Sequence, residues 1–182
     1  MKHAAKHAAP EEVSVETKWY SSTVFIVLMA LIAGLLLRFF VVEFVRVDGP
    51  SMQPTLESGE VVCIEKVSKV FSDPQRYDVV ICHFDETSTN YVKRIIGLPG
   101  ETISVVGGKP YINGEPLDDD IYGTGLKPVD MEPVTIPEDS VFVMGDNRAN
   151  SKDSVVVGPI QKSRIVGRVM FVVWPFDQIG GL

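Results

Sequence analysis

Hydrophobic and polar positions change character twice along the 182-residue chain. A polar stretch, 1–18, gives way to a run without charge between Lys18 and Arg38. From Val24 it reads Val-Phe-Ile-Val-Leu-Met-Ala-Leu-Ile-Ala-Gly-Leu-Leu-Leu. At about 1.5 Å of rise per residue, Trp19 to Leu37 make a helix of about 28 Å, close to a bilayer's hydrocarbon thickness of about 30 Å. Trp19 and Tyr20 stand at one end and Phe39 and Phe40 at the other, where interfacial aromatics sit. A cleaved leader would have a shorter apolar run and then a small-x-small site. Here Arg38-Phe-Phe-Val-Val-Glu-Phe44 follows instead. The pattern predicts one retained N-terminal transmembrane anchor over 19–42. Lys2, Lys6 and Lys18 precede it, whereas only Arg38 and Arg46 follow closely. That bias puts the tail 1–18 in the cytoplasm and 43–182 outside the cell membrane.

Beyond Arg46 the period shortens. Short β-branched runs alternate with Gly, Pro, Asn and Asp: Gly59–Glu65, Asp78–Phe84, Tyr91–Ile96, Thr102–Val106, Pro110–Ile112, Ser140–Met144 and Ile165–Trp174. Gly107-Gly108 and Asn113-Gly114 are hairpin-turn dipeptides. Helical signals are confined to a turn after Pro54 and another near Val67–Phe71. The fold class is mainly β, an antiparallel β domain on one N-terminal helix. The stretch Asp118–Pro133, with its three consecutive aspartates, reads as a solvated loop without the ligand spacing of a calcium site.

Composition narrows the function. Nine Phe and a 45% apolar fraction support a packed core. A net charge of -7 argues against nucleic acid as a partner. The motifs of zinc peptidases, redox CxxC sites and phosphate loops are absent, so neither metal nor cofactor is expected. His3 and His7, spaced i,i+4, are read as part of a solvated terminus.

Three polar constellations remain. Gly49-Pro-Ser-Met-Gln-Pro-Thr-Leu56 sets a serine between prolines, with its hydroxyl exposed and backbone N–H groups free for an oxyanion. Tyr91-Val-Lys-Arg-Ile-Ile96 puts Tyr91, Lys93 and Ile95 on one strand face and Val92, Arg94 and Ile96 on the other. A lysine desolvated there becomes a base near neutral pH. Val143-Met-Gly-Asp-Asn-Arg-Ala-Asn-Ser-Lys-Asp-Ser154 is a polar turn after an apolar strand, with Asp146 and Asn147 able to hold backbone turns. Taken singly, these are a surface turn, a snorkelling lysine and a well-made loop. His83 is the sole histidine beyond the tail, and no aspartate is visibly matched to it. A serine hydrolase built on this chain must therefore find its base elsewhere, and Lys93 is the obvious candidate.

Together the motifs resemble the bacterial type I signal peptidases, or leader peptidases, in their short, Gram-positive-like form. Ser51-Met-x-Pro-Thr-Leu56, Tyr91-Val-Lys-Arg, Gly97-Leu-Pro-Gly-Glu101, Gly145-Asp-Asn-Arg-x-Asn-Ser-x-Asp-Ser154 and Trp174-Pro-Phe occur in that family's order. The resemblance implies an extracytoplasmic Ser/Lys peptidase domain over 43–182, with Ser51 the nucleophile, Lys93 the general base and Ser151 orienting the Lys93 amine. Asp146 supports the site. Gly49 stands where some members carry a serine as second oxyanion donor, leaving the Ser51 N–H as the main donor, helped by water or the Gly49 backbone. Val155 replaces an arginine, so Asp153 lacks its usual ion-pair partner. Pocket walls are implied at Val45, Val47, Met52, Leu56, Val62, Ile81, Tyr91 and Val92. All are uncharged, suiting shallow pockets for small side chains and an Ala-x-Ala signal. The partners implied are signal-peptide-bearing preproteins, membrane lipid and the secretion translocon. The competing reading from another class is an inactive, membrane-anchored β module that binds extended peptides. Cys63 and Cys82 are expected in neighbouring strands and facing the core, either bridged or packed as two thiols.

Overall fold

Short β-branched segments separated by tight turns pair most readily with antiparallel neighbours. A computed structural model of the chain describes residues 23–68, 72–84 and 89–181, with 37–40 described in backbone only. The tail, the first residues of the expected anchor and most of the turn near Val67–Phe71 lie outside the described residues.

Two units are distinguished, 1–36 and 37–182. The first contributes to helix α1 (Thr23–Phe40), whose Val24, Ile26, Val27 and Leu28 are exposed. Among the described residues no helix is long and apolar enough to cross a membrane.

The second unit is antiparallel β. Its larger sheet comprises β1 (Val42–Arg46), β2 (Val61–Glu65), β3 (Val79–Cys82), β4 (Tyr91–Gly97), β9 (Ser140–Met144), β10 (Ile160–Gln161), β11 (Ile165–Trp174) and β12 (Gly180–Gly181). The order is β1-β2-β11-β3-β4-β9-β10, and β12 pairs with β11. Four strands form the second sheet: β5 (Thr102–Val106), β6 (Lys109–Ile112), β7 (Glu115–Pro116) and β8 (Met131–Thr135), in the order β7-β6-β5-β8. Gly107 and Gly108 turn β5 into β6, and Asn113-Gly114 turns β6 into β7 with φ of 53° and 87°. Those positive angles are what the two-residue hairpin requires. Strand β1 begins at Val42, within the span expected to be anchor, because the run Val-Glu-Phe-Val-Arg pairs residue for residue with β2.

Strand β4 has an unusual burden. Lys93 and Arg94 are each only 2% exposed, on opposite faces. Arg94 meets Asp146 in a two-pronged ion pair, Nε to Oδ1 at 2.9 Å and Nη2 to Oδ2 at 2.7 Å. Its third arm donates to the Tyr77 carbonyl at 2.9 Å, and the Tyr122 ring lies 3.7 Å from its Cζ. This satisfaction makes a buried guanidinium tolerable.

The cysteines depart from expectation. Strand β11 lies between β2 and β3, so Cys63 and Cys82 are not in neighbouring strands. Their β11 partners are Phe171 and Ile165. Two strand spacings amount to about 10 Å, beyond the roughly 7 Å a disulfide spans. Both are buried in the core as expected, Cys82 beside Val80 and Ile95, and Cys63 at 6% exposure opposite Phe44 and Phe171. Both are free thiols. Burial raises the Cys63 pKa and pushes that of Cys82 up to about 12.

Two outcomes follow. The unfolded, unreduced protein should titrate two free thiols, and its mass should not change on reduction. A gain of about two mass units would contradict the strand order. Asp146→Ala should lower unfolding free energy by about 3–5 kcal/mol in urea titrations, because Arg94 would remain buried without its counter-charge. A loss below about 1 kcal/mol would show that the pair is not a stabilising element.

Candidate active site

The turn bearing Ser51 is fastened from below. Met52 and Leu56 are 1% and 0% exposed and join the core cluster of Val62, Ile64, Ile81 and Val92. The Leu56 N–H donates to the Met52 carbonyl at 3.0 Å, closing one helical turn. Pro50 and Pro54 restrict the backbone on either side, the second through a cis peptide. Gly49 has φ of +93°, and a Cβ there would meet nothing within 4 Å. Backbone conformation rather than space therefore favours glycine over serine. Its N–H donates to Ser58 Oγ at 3.2 Å, so it is not free to serve an oxyanion. Among the described residues the Ser51 N–H makes no hydrogen bond.

A second loop holds the turn from the side. Asn147 donates its N–H to the Ser51 carbonyl at 3.0 Å and its Nδ2 to the Pro50 carbonyl at 3.2 Å. Thr55 Oγ1 donates to Asp146 Oδ2 at 2.5 Å. Asp146 thus ties β4, through Arg94, to the Ser51 turn. The approach at Gly145 is so close that a Cβ would lie 2.5 Å from the Ser51 carbonyl oxygen and 2.3 Å from Ser151 Oγ. Only glycine fits there.

Lys93 reaches this turn from its strand. Its Nζ donates to Ser51 Oγ at 2.7 Å and to the Val92 carbonyl at 2.8 Å. Burial lowers its pKa below the ordinary lysine value; charge interactions with Cys82, Asp153 and Asp146 oppose that shift without cancelling it. The neutral amine has a lone pair, and the serine hydroxyl is within proton-transfer distance.

Several expected roles change. Among the described residues Ser151 Oγ is buried and makes no hydrogen bond, and the Lys93 amine donates to the Val92 carbonyl. Asp153 accepts the Gly145 N–H at 3.1 Å and caps helix α2 (Ser154–Val157) through the Val155 N–H at 3.2 Å. His83 bonds Asn90 Oδ1 at 2.9 Å through its ring.

Beside Ser51 and Lys93 lies a cleft of about 60 Å³ whose walls include Val45, Val47, Tyr91 and Val92, four of the residues expected there. The other four, Met52, Leu56, Val62 and Ile81, are buried in the cluster that carries the turn. Nor is the lining free of charge or polarity, since Arg46, Asp48 and Asn90 contribute. Thr55 and Arg94 were not foreseen as site residues. Their contacts join segments 91 and 52 positions apart, which no local pattern reveals.

With this geometry in view, comparison with known proteins is informative. Residues 17–174 match the family described as "Signal peptidase, peptidase S26". Signal peptidase I of Bacillus licheniformis is 38% identical over 163 residues, 84% of this chain and 88% of that one. Signal peptidase I T of Bacillus subtilis (strain 168) is 36% identical over 181 residues, 94% of this chain and 92% of that protein. The crystal structure of a signal peptidase I from Enterococcus faecalis V583 aligns with a TM-score of 0.45 at 30% identity, covering 53% of this chain and 97% of that one. On the family match and the two Bacillus relatives, the chain belongs to the signal peptidase family, peptidase S26.

Proposed function

We propose that the protein is a membrane-bound serine endopeptidase that removes N-terminal signal peptides from secreted preproteins by a Ser51/Lys93 dyad. The observation that carries this reading is the 2.7 Å contact between a buried Lys93 amine and the Ser51 hydroxyl. Neutral Lys93 takes the Ser51 proton as Oγ attacks the scissile carbonyl carbon. The oxygen of that carbonyl becomes an anion facing the unengaged Ser51 N–H. The ammonium then returns its proton to the leaving amine as the C–N bond breaks, leaving an acyl ester on Ser51. Water, deprotonated by Lys93, attacks the ester and releases the signal peptide with a free carboxylate. Serine and amine regain their starting states. A module that only bound peptides would need neither a buried amine nor its serine partner.

The reading includes a membrane anchor in the apolar run that begins at Trp19 and ends before β1, with the tail 1–18 cytoplasmic and the β domain extracytoplasmic. It rests on the apolar run and its flanks. Exposed Phe44, Trp174 and Phe176 give the β domain an apolar surface suited to work at a bilayer. Preproteins would add as an extended strand beside the cleft, alternate side chains entering it. Membrane lipid and the secretion translocon complete the proposed surroundings.

In detergent, Ser51→Ala, Lys93→Ala and Lys93→Arg should each lower preprotein cleavage at least about 1,000-fold with folding intact, since guanidinium does not deprotonate. Cleavage should fall as pH drops through the lowered Lys93 pKa, because only the neutral amine accepts the serine proton. An active Lys93→Ala form would contradict the dyad.

The small cleft predicts cutting after small-x-small sequences. Scanning the residue before the cut, and the one two further upstream, should show Ala processed and Phe or Lys rejected by gel shift and N-terminal sequencing. Efficient cutting after Phe would contradict the assigned pocket.

A further inference from the structure

Most of the segment 118–126, between β7 and β8, is exposed, Thr124 included, yet the segment is bonded to the loop beside Ser51. Its alternate residues Asp120, Tyr122 and Thr124 each engage a different part of the active-site scaffold. Asp120 Oδ2 accepts from Arg148 Nη2 at 2.5 Å, an ion pair with side chains only 4% and 3% exposed. Arg148 in turn donates its Nε to the Gly145 carbonyl at 3.0 Å, beneath the Ser51 turn. Gly123 gives that guanidinium room: a Cβ there would lie 2.6 Å from Arg148 Cζ. Tyr122 covers Arg94, the partner of Asp146.

Thr124 makes the most direct connection. Its N–H donates to the Asp146 carbonyl at 2.7 Å, and its carbonyl accepts from the Arg148 N–H at 2.9 Å. These bonds form a parallel bridge across Asn147, the residue that grips the Ser51 and Pro50 carbonyls. The Thr124 hydroxyl is shared between the Asp146 carbonyl at 3.2 Å and the Gln53 carbonyl at 3.3 Å. Gln53 lies two residues from Ser51 in the same turn. The strap thus touches the nucleophile turn and both arginines that hold the loop beside it.

We propose that 118–126 is a strap that positions the Ser51 turn for reaction, with Thr124 its positioning residue; the inference rests on Ser51 being the nucleophile. Thr124 touches neither Lys93 nor the reacting atoms. It limits the turn's movement relative to Asp146 and Asn147. A shift of the turn lengthens the Ser51–Lys93 contact, on which proton transfer depends steeply. The effect therefore falls on the rate of acylation, not on binding in the cleft.

The test uses the full chain in detergent. Thr124→Val keeps shape and the backbone bridge and removes only the hydroxyl; Thr124→Ser restores it. On a preprotein cleaved by the parent and not by its Ser51→Ala form, Thr124→Val should lower kcat about fivefold, with KM within about twofold, as expected for one lost hydrogen bond. The acid limb of its pH profile should stay in place, because Lys93 is untouched, and Thr124→Ser should recover most of the rate. Hydrogen exchange, which needs no activity, should show amides of 51–56 exchanging faster in the Val form while amides of β4 do not. Unchanged kcat together with unchanged exchange overturns the strap, as does a KM change without a kcat change or failure of Ser to rescue. If the parent cleaves no preprotein, the functional reading falls instead, and the exchange comparison still decides whether the strap holds the turn.

Discussion

A β-strand that buries two consecutive basic side chains faces an electrostatic problem, and the way β4 resolves it organises the site. Alternation sends Lys93 and Arg94 to opposite faces, each 2% exposed. A guanidinium keeps its charge under all ordinary conditions, so Arg94 requires a counter-ion and obtains Asp146. An ammonium can instead release its proton. Burial lowers the Lys93 pKa, and the nearest acceptors for its remaining hydrogens are a hydroxyl and a carbonyl. One burden is met by pairing; the other is eased by a lowered pKa, which is what the proposed role of Lys93 as a base requires.

The two solutions are mechanically joined. Asp146 takes the Arg94 guanidinium and the Thr55 hydroxyl with one carboxylate, while Asn147 beside it grips the Ser51 and Pro50 carbonyls. The ion pair on one face of β4 thereby fixes the turn that meets the amine on the other. Met52 and Leu56 supply the apolar part of that fixation, and Gly145 allows the loop and turn to approach within backbone contact. Precise placement of two polar groups thus rests on packing, a buried charge pair and one missing Cβ.

Much of this was legible in the sequence because local patterns encode it. The β-branched runs, the Gly107-Gly108 and Asn113-Gly114 turns and the alternation that sets Lys93 apart from Arg94 all have short-range signatures. Ser51 and Lys93, ordinary when taken singly, were marked by several motifs occurring together in one family's order. What sequence could not supply was long-range order. The insertion of β11 between β2 and β3 separates Cys63 from Cys82, although their strands follow one another in the chain. Met52, Leu56, Val62 and Ile81 are apolar like a pocket wall, but depth is not written in composition, and they lie in the core beneath it. Segment 118–126 is acidic and rich in glycine, so it reads as loop; its partners Arg94 and Arg148 lie in other strands and turns.

The surroundings of Lys93 favour its neutral form relative to an ordinary lysine. Its own titration tests this most directly, through the ¹³Cε chemical shift of the protein labelled at lysine ε-carbons, with the Lys93 signal assigned by its loss in Lys93→Met. A midpoint clearly below the ordinary lysine value of 10.5, set by burial, is expected. A Lys93 signal that titrates at or above 10.5 would contradict it.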